Sequence, residues 1–179
     1  MRTNAAILIG LRASGKTTFG KAVAEKLGVQ FADLDNITPI LLDCDDPAEA
    51  IRLHGEAAFR QAETRALTAG IDELEKDAGV LALGGGTPKA PRAADLIRNC
   101  GFPVIYLRAS AETLASRLLQ TDLSSRPSLT GRGVIEEVAD LFADRDPLYT
   151  ELATSIVEQD GRDQDTVIDE VARLIAAAD

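Results

Sequence analysis

The residues that most constrain this chain are Gly10-Leu11-Arg12-Ala13-Ser14-Gly15-Lys16-Thr17, a glycine-bracketed turn closing on lysine and threonine. Their neighbours fix the setting. Ala5 to Ile9 is an apolar run without alternation, the pattern of a strand buried on both faces. From Lys16 to Leu27 the apolar residues Phe19, Val23 and Leu27 recur at every fourth position, and Gly28 supplies a helix stop. A buried strand, a glycine turn and an amphipathic helix form a cradle for phosphate. The glycines let the backbone curl so that successive N–H groups face phosphate oxygens, and the helix adds its positive dipole end. Gly10, Arg12, Ala13, Ser14, Gly15, Lys16, Thr17 and Thr18 are therefore the nucleotide-binding candidates. Lys16 reaches the β- and γ-phosphates, Thr17 offers its hydroxyl to Mg²⁺, and Thr18 is placed for a further phosphate contact.

Strands and helices alternate along the rest of the chain. Strands are expected at Val29 to Leu34, Val80 to Leu83, Val104 to Leu107 and Ser155 to Val157. Helices are expected over Asp46 to Leu74, Pro91 to Asn99, Ala111 to Leu119 with Ser110 as N-cap, Val134 to Ala143, and Gln164 to Ala178. Residues 121–133, rich in Ser, Pro, Gly and Arg, read as a loop. Such alternation specifies an α/β domain, a parallel sheet with helices on both faces, and ligands at the carboxyl ends of its strands. The 179 residues suit a single domain.

A net charge of -10 repels phosphate backbones and anionic membranes, so neither nucleic acid nor membrane is an expected partner. Any anionic substrate needs a local basic pocket set against that field. Cys44 and Cys100 lie far apart at no metal-like spacing and read as free thiols of a reducing cytosol. The first ten residues imitate a short signal peptide, but their apolar part is too short, and a first strand explains them better.

The phosphate acceptor is addressed by later motifs. Asp33-Leu34-Asp35 falls at the end of the second strand, where residues two apart face one side. One acid then serves Mg²⁺ and the other an acceptor hydroxyl, although alone the pair also reads as a solvated turn. Glu56, Arg60 and Glu63 share a helix face, which by itself reads as surface ion pairing. Gly84-Gly85-Gly86 follows a buried strand and exposes backbone N–H groups at the ligand-binding edge of the sheet, unless it is a simple turn. Ser125-Arg126-Pro127-Ser128-Leu129 has the composition of a lid that closes over phosphates, and also of an ordinary exposed loop.

In this order, the motifs resemble those of the shikimate kinase family: Ile9 to Thr18, Phe31-x-Asp33-x-Asp35, Gly55-Glu56-x-x-Phe59-Arg60-x-x-Glu63, Gly84-Gly85-Gly86, Arg126-Pro127-x-Leu129 and Arg145-x-Pro147-Leu148-Tyr149. The resemblance spans nearly the whole chain. It implies a three-layer α/β/α P-loop kinase fold, a five-stranded parallel sheet in the order 2-3-1-4-5, a substrate region over about 33–63 and a mobile lid over about 121–133. It implies ATP and Mg²⁺ as cofactors, shikimate as substrate, and a cytoplasmic monomer. Lys16, Asp35 and Arg126 become catalytic, and Thr17 and Asp33 serve the metal. Asp35, Phe59, Arg60, Gly84, Gly85, Gly86 and Arg145 form the substrate site, with Glu63 orienting Arg60. Arg117 and Arg126 join the nucleotide set, and the adenine loop falls near 159–162. Two departures are visible: Ala13 replaces a common glycine, and Ser128 interrupts an apolar lid motif, which implies looser lid packing.

The competing readings are a kinase of another small acid, sugar or nucleoside monophosphate, and a nucleotide-binding regulator without chemistry. The set Arg60, Gly84 to Gly86 and Arg145 disfavours the former, since a base-reading pocket does not need it. Asp33, Asp35 and Arg126 disfavour the latter.

Overall fold

The computed structural model describes residues 4–120 and 134–178. Five strands form one parallel sheet: β1 (Ala6–Ile9), β2 (Gln30–Asp33), β3 (Gly79–Ala82), β4 (Val104–Arg108) and β5 (Ser155–Glu158). Their order is β2-β3-β1-β4-β5, with Ile7 registered against Leu81 on one side and Val104 on the other. The α-helices among the described residues are α1 (Lys16–Leu27), α2 (Leu34–Ile40), α3 (Pro47–His54), α4 (Glu56–Lys76), α5 (Ala93–Asn99), α6 (Ala111–Leu119), α7 (Val134–Leu152) and α8 (Gln164–Ala176).

The two-residue period of β1 divides the core in two. Ile7 and Ile9 face one cluster, with Leu67 and Ile71 of α4, Ile97 of α5, Leu114 of α6 and Tyr149 of α7. Ala6 and Leu8 face the other, with Phe19 and Val23 of α1 and Val167 and Val171 of α8. All four β1 residues are fully buried, which is why the strand reads as a continuous apolar run. Two helical layers thus sandwich the sheet, as expected.

Three expectations need correction. The single helix foreseen from Asp46 to Leu74 is two helices. Asp46 caps α3 by accepting from the Glu49 N–H at 2.8 Å, and the chain breaks at Gly55, whose φ of 82° suits glycine. The second strand stops at Asp33 and α2 follows at once, so Asp35 lies in a first helical turn rather than on a strand. The helix expected to end at Ala143 runs on to Leu152, through Pro147. Proline inside a helix costs about 3 kcal/mol. The segment beyond it offsets this by burying Tyr149 and Leu152, and the residue before it, Asp146, pairs with Arg108. The expected lid, 121–133 with Arg126, lies outside the described residues.

Candidate active site

The phosphate loop leaves the carboxyl end of β1 and enters α1. Its Lys16 is buried and folds back on the loop, its Nζ donating to the carbonyls of Gly10 at 2.9 Å and Leu11 at 3.0 Å. Ser14 is wholly buried, and its Oγ has no hydrogen-bond partner among the described residues. Ala13 takes a left-handed φ of 64°, the conformation that a glycine would adopt without strain. Thr18 is exposed beside Thr17.

The Thr17 hydroxyl donates to Asp33 Oδ2 at 2.5 Å, and Asp33 Oδ1 caps α2 by accepting from the Asp35 N–H at 3.0 Å. The two acids therefore meet at the site through a strand-to-helix corner, not through strand alternation. The oxygen-only pair of Thr17 and Asp33 suits a hard cation such as Mg²⁺. Among the described residues no group of three or more His, Cys, Asp and Glu forms a self-sufficient metal site.

The glycine run is where the distant motifs converge, each glycine against a different group. A Cβ on Gly84 would stand 2.6 Å from Asp35 Oδ1, and one on Gly86 only 2.5 Å from Arg60 Nη1. One on Gly85 would come within 3.0 Å of the Arg12 backbone nitrogen in the phosphate loop. The Gly85 carbonyl accepts from Arg145 Nη1 and from the Tyr149 hydroxyl, each at 2.5 Å. Burial pushes Tyr149 up to about 12, so its phenol remains a donor. Arg145 Nε is buried without a hydrogen-bond partner among the described residues.

Arg60 is held by two carboxylates, Glu63 at 2.6 Å and Glu56 at 3.2 Å. Burial opposes its charge, but these pairs outweigh burial and raise its pKa. Glu63, only 3 % exposed, is itself fixed by the Thr87 hydroxyl at 2.7 Å. Phe59 packs with Cys44 and Ala50 in a small separate core, its ring 5.9 Å from the Arg60 guanidinium carbon.

Behind the phosphate loop, Arg117 donates to the Ala13 carbonyl at 3.3 Å and to Gln159 Oε1 at 2.8 Å. Gln159 Nε2 donates to the Ser14 carbonyl at 3.0 Å. Sequence reasoning missed Thr87, the Gly85 partnership of Tyr149, and Gln159 as an individual residue. A hydroxyl directly after the glycine run was the one available signal for Thr87.

A phosphate loop at the central strand, an acid corner beside it, and two arginines gathered at the carboxyl edge of a parallel sheet define a phosphotransferase of the P-loop kinase class. A family model described as shikimate kinase matches residues 12–176. Shikimate kinase 2 of Yersinia enterocolitica is 35 % identical over 175 residues, covering 97 % of each chain. Shikimate kinase of Nitratidesulfovibrio vulgaris is 38 % identical over 170 residues, covering 94 % of each. The chain belongs to the shikimate kinase family. Among solved structures, shikimate kinase from Acinetobacter baumannii in complex with shikimate superposes with a TM-score of 0.86 at 27 % identity, covering 98 % of this chain and 94 % of that one. A gluconokinase from Sinorhizobium meliloti shares the fold, with a TM-score of 0.54 at 17 % identity, covering 98 % of this chain and 90 % of that one. Among the described residues no helix is long and apolar enough to cross a membrane.

Proposed function

We propose that this chain transfers the γ-phosphoryl group of ATP to the 3-hydroxyl of shikimate, giving shikimate 3-phosphate and ADP. The observation that carries this reading is the convergence of Asp35, Arg60 and Arg145 on three successive glycines that also touch the phosphate loop. An acid for a hydroxyl and two guanidinium groups for a planar carboxylate are the groups a hydroxy acid requires. The acceptor oxygen attacks the γ-phosphorus, the bond to the β,γ-bridging oxygen breaks, and the hydroxyl proton passes to Asp35. Such a transition state is loose, so positioning and charge neutralisation dominate. Lys16 exchanges its contacts with the Gly10 and Leu11 carbonyls for phosphate oxygens, and Arg126 adds charge from the lid. Thr17 and Asp33 would hold Mg²⁺, which would supply charge neutralisation for the phosphates. Arg117 and the loop beyond Gln159 take the adenine, and Phe59 backs the substrate side. The protein acts as a cytosolic monomer with no macromolecular substrate.

The primary test is ADP release with ATP and Mg²⁺, comparing shikimate with gluconate, quinate and nucleoside monophosphates. Turnover only with one of the others overturns the assignment. The clamp has its own test. A charge-assisted hydrogen bond is worth about 1.5–3 kcal/mol. Arg60→Ala and Arg145→Ala should therefore weaken shikimate binding roughly tenfold to a hundredfold, while ATP affinity measured alone holds. Lysine at either position rescues in part, keeping the charge without the fork. In calorimetry, an uncharged shikimate amide should lose little further in either variant. Equal losses for acid and amide would remove the clamp.

A further inference from the structure

We propose that Gln159 is a positioning residue for phosphate binding, bracing the phosphate loop from behind and linking it to Arg117. The inference rests on the assignment of residues 10–17 to phosphate given above. Gln159 is only 2 % exposed at the carboxyl end of β5, and its side chain spans two partners. Nε2 donates to the Ser14 carbonyl at 3.0 Å and Oε1 accepts from Arg117 Nη1 at 2.8 Å. No other orientation of the amide serves both, because a carbonyl only accepts and a guanidinium only donates. Its backbone is anchored as well: the Gln159 N–H donates to the Arg108 carbonyl at 3.0 Å.

The consequence lies in the Ser14–Gly15 peptide. In a trans peptide the C=O and the following N–H point in opposite directions, and every described peptide here is trans. Pinning the Ser14 carbonyl toward β5 therefore turns the Gly15 N–H away from β5. The Gly15 N–H sits at the N-cap of α1, where the orphan donors of a helix meet an anion. The loop needs such support because it is not relaxed on its own. Ala13, one residue before Ser14, is held at a φ of 64°, and its carbonyl receives the second bond of Arg117. Gln159 and Arg117 together thus grip two consecutive carbonyls of the strained segment. The amide also ties the arginine of the adenine side to the shape of the phosphate side.

Two variants separate these contacts. Gln159→Glu keeps an acceptor for Arg117 but has no donor for the Ser14 carbonyl. Gln159→Met keeps the length and loses both. Calorimetry with ADP and with adenosine, at constant Mg²⁺, should show ADP affinity falling about tenfold in both variants. Adenosine affinity should hold in Gln159→Glu, and shikimate affinity without nucleotide should hold in both. The Gly15 amide resonance should shift in nucleotide-free Gln159→Glu. Equal losses for ADP and adenosine would place the residue on the base side and overturn the proposal. ADP affinity within twofold of wild type in both variants would overturn it too. In the wild-type protein the Gln159 side-chain amide should be protected from hydrogen exchange, and free exchange there refutes the brace whatever the variants do. If wild type binds ADP no better than adenosine, the phosphate-loop assignment itself fails, an outcome distinct from failure of the brace.

Discussion

Thr87 carries more of the support of Arg60 than its position suggests. Its buried hydroxyl donates to Glu63 Oε1, and the other oxygen of Glu63 accepts from Arg60. Removing one partner of a buried, charged acceptor leaves the acceptor unsatisfied, at about 1–3 kcal/mol. Thr87→Val should lower stability by about that amount in urea titrations. It should weaken shikimate binding severalfold, because Arg60 loses the fixed carboxylate that aims it, and leave ATP affinity unchanged. Thr87→Ser should restore most of both. A Thr87→Val protein of unaltered stability would show that Glu63 needs no second donor. The Thr87–Glu63 pair also shows what is hidden in a sequence. Glu63 is readable because it stands three residues from Arg60 on a helix face. Thr87 lies 24 residues from its partner, and Gln159 lies 145 from Ser14. No periodicity links such residues, so only the fold can introduce them.

Among the elements, α7 depends on a cluster at the carboxyl end of β4. Asp146 accepts from Arg108 Nε at 2.7 Å, from Arg108 Nη2 at 3.0 Å and from the Tyr106 hydroxyl at 2.9 Å. Arg108 in turn lies over the Phe142 ring, 5.5 Å from its centroid. The hydrogen bonds from Arg108, with that from Tyr106, hold the Asp146 carboxyl below its ordinary value against the opposing effect of burial. A carboxyl depressed in the folded state contributes stability above its unfolded pKa, near 3.9, and loses it as pH falls through the folded value. Asp146→Asn should therefore cost about 1–2 kcal/mol at pH 7, discounting for partial exposure. The gap to wild type should close in acid, below about pH 4. Denaturant titrations at pH 7 and pH 3 test this, and a constant gap would exclude the ionic origin. The same cluster explains why the helix was foreshortened in the sequence reading: Pro147 signals an end, and its compensation comes from β4. By contrast, the central strands were legible almost to the residue, since burial on both faces leaves only apolar side chains. Helix α2 was not, because seven residues containing Pro39 are too few to display a helical period.

At the scale of the whole molecule, β1 and β3 are neighbours in the sheet, and the loops that leave them meet. Gly85 and Arg12 form the join, at a separation where even one methyl group would bring a contact of 3.0 Å. With the donor on the phosphate loop and the acceptor on the glycine run, as proposed above, the two are held apart by the thickness of two backbones. The spacing of the reactants is then a dimension of the protein, independent of how tightly either is gripped. Gly85→Ala should shift it by a few tenths of an ångström. Since a displacement of about 1 Å can cost a hundredfold in rate, turnover should fall by roughly tenfold. The separate affinities for ATP and shikimate should change little, and steady-state kinetics beside binding titrations distinguish the two effects. An alanine variant with normal turnover would mean that the gap tolerates widening. On the proposed placement of the two ligands, the loop after the third strand is a gauge block: a part whose value lies in being thin, and whose thickening leaves both ligands bound at the wrong distance.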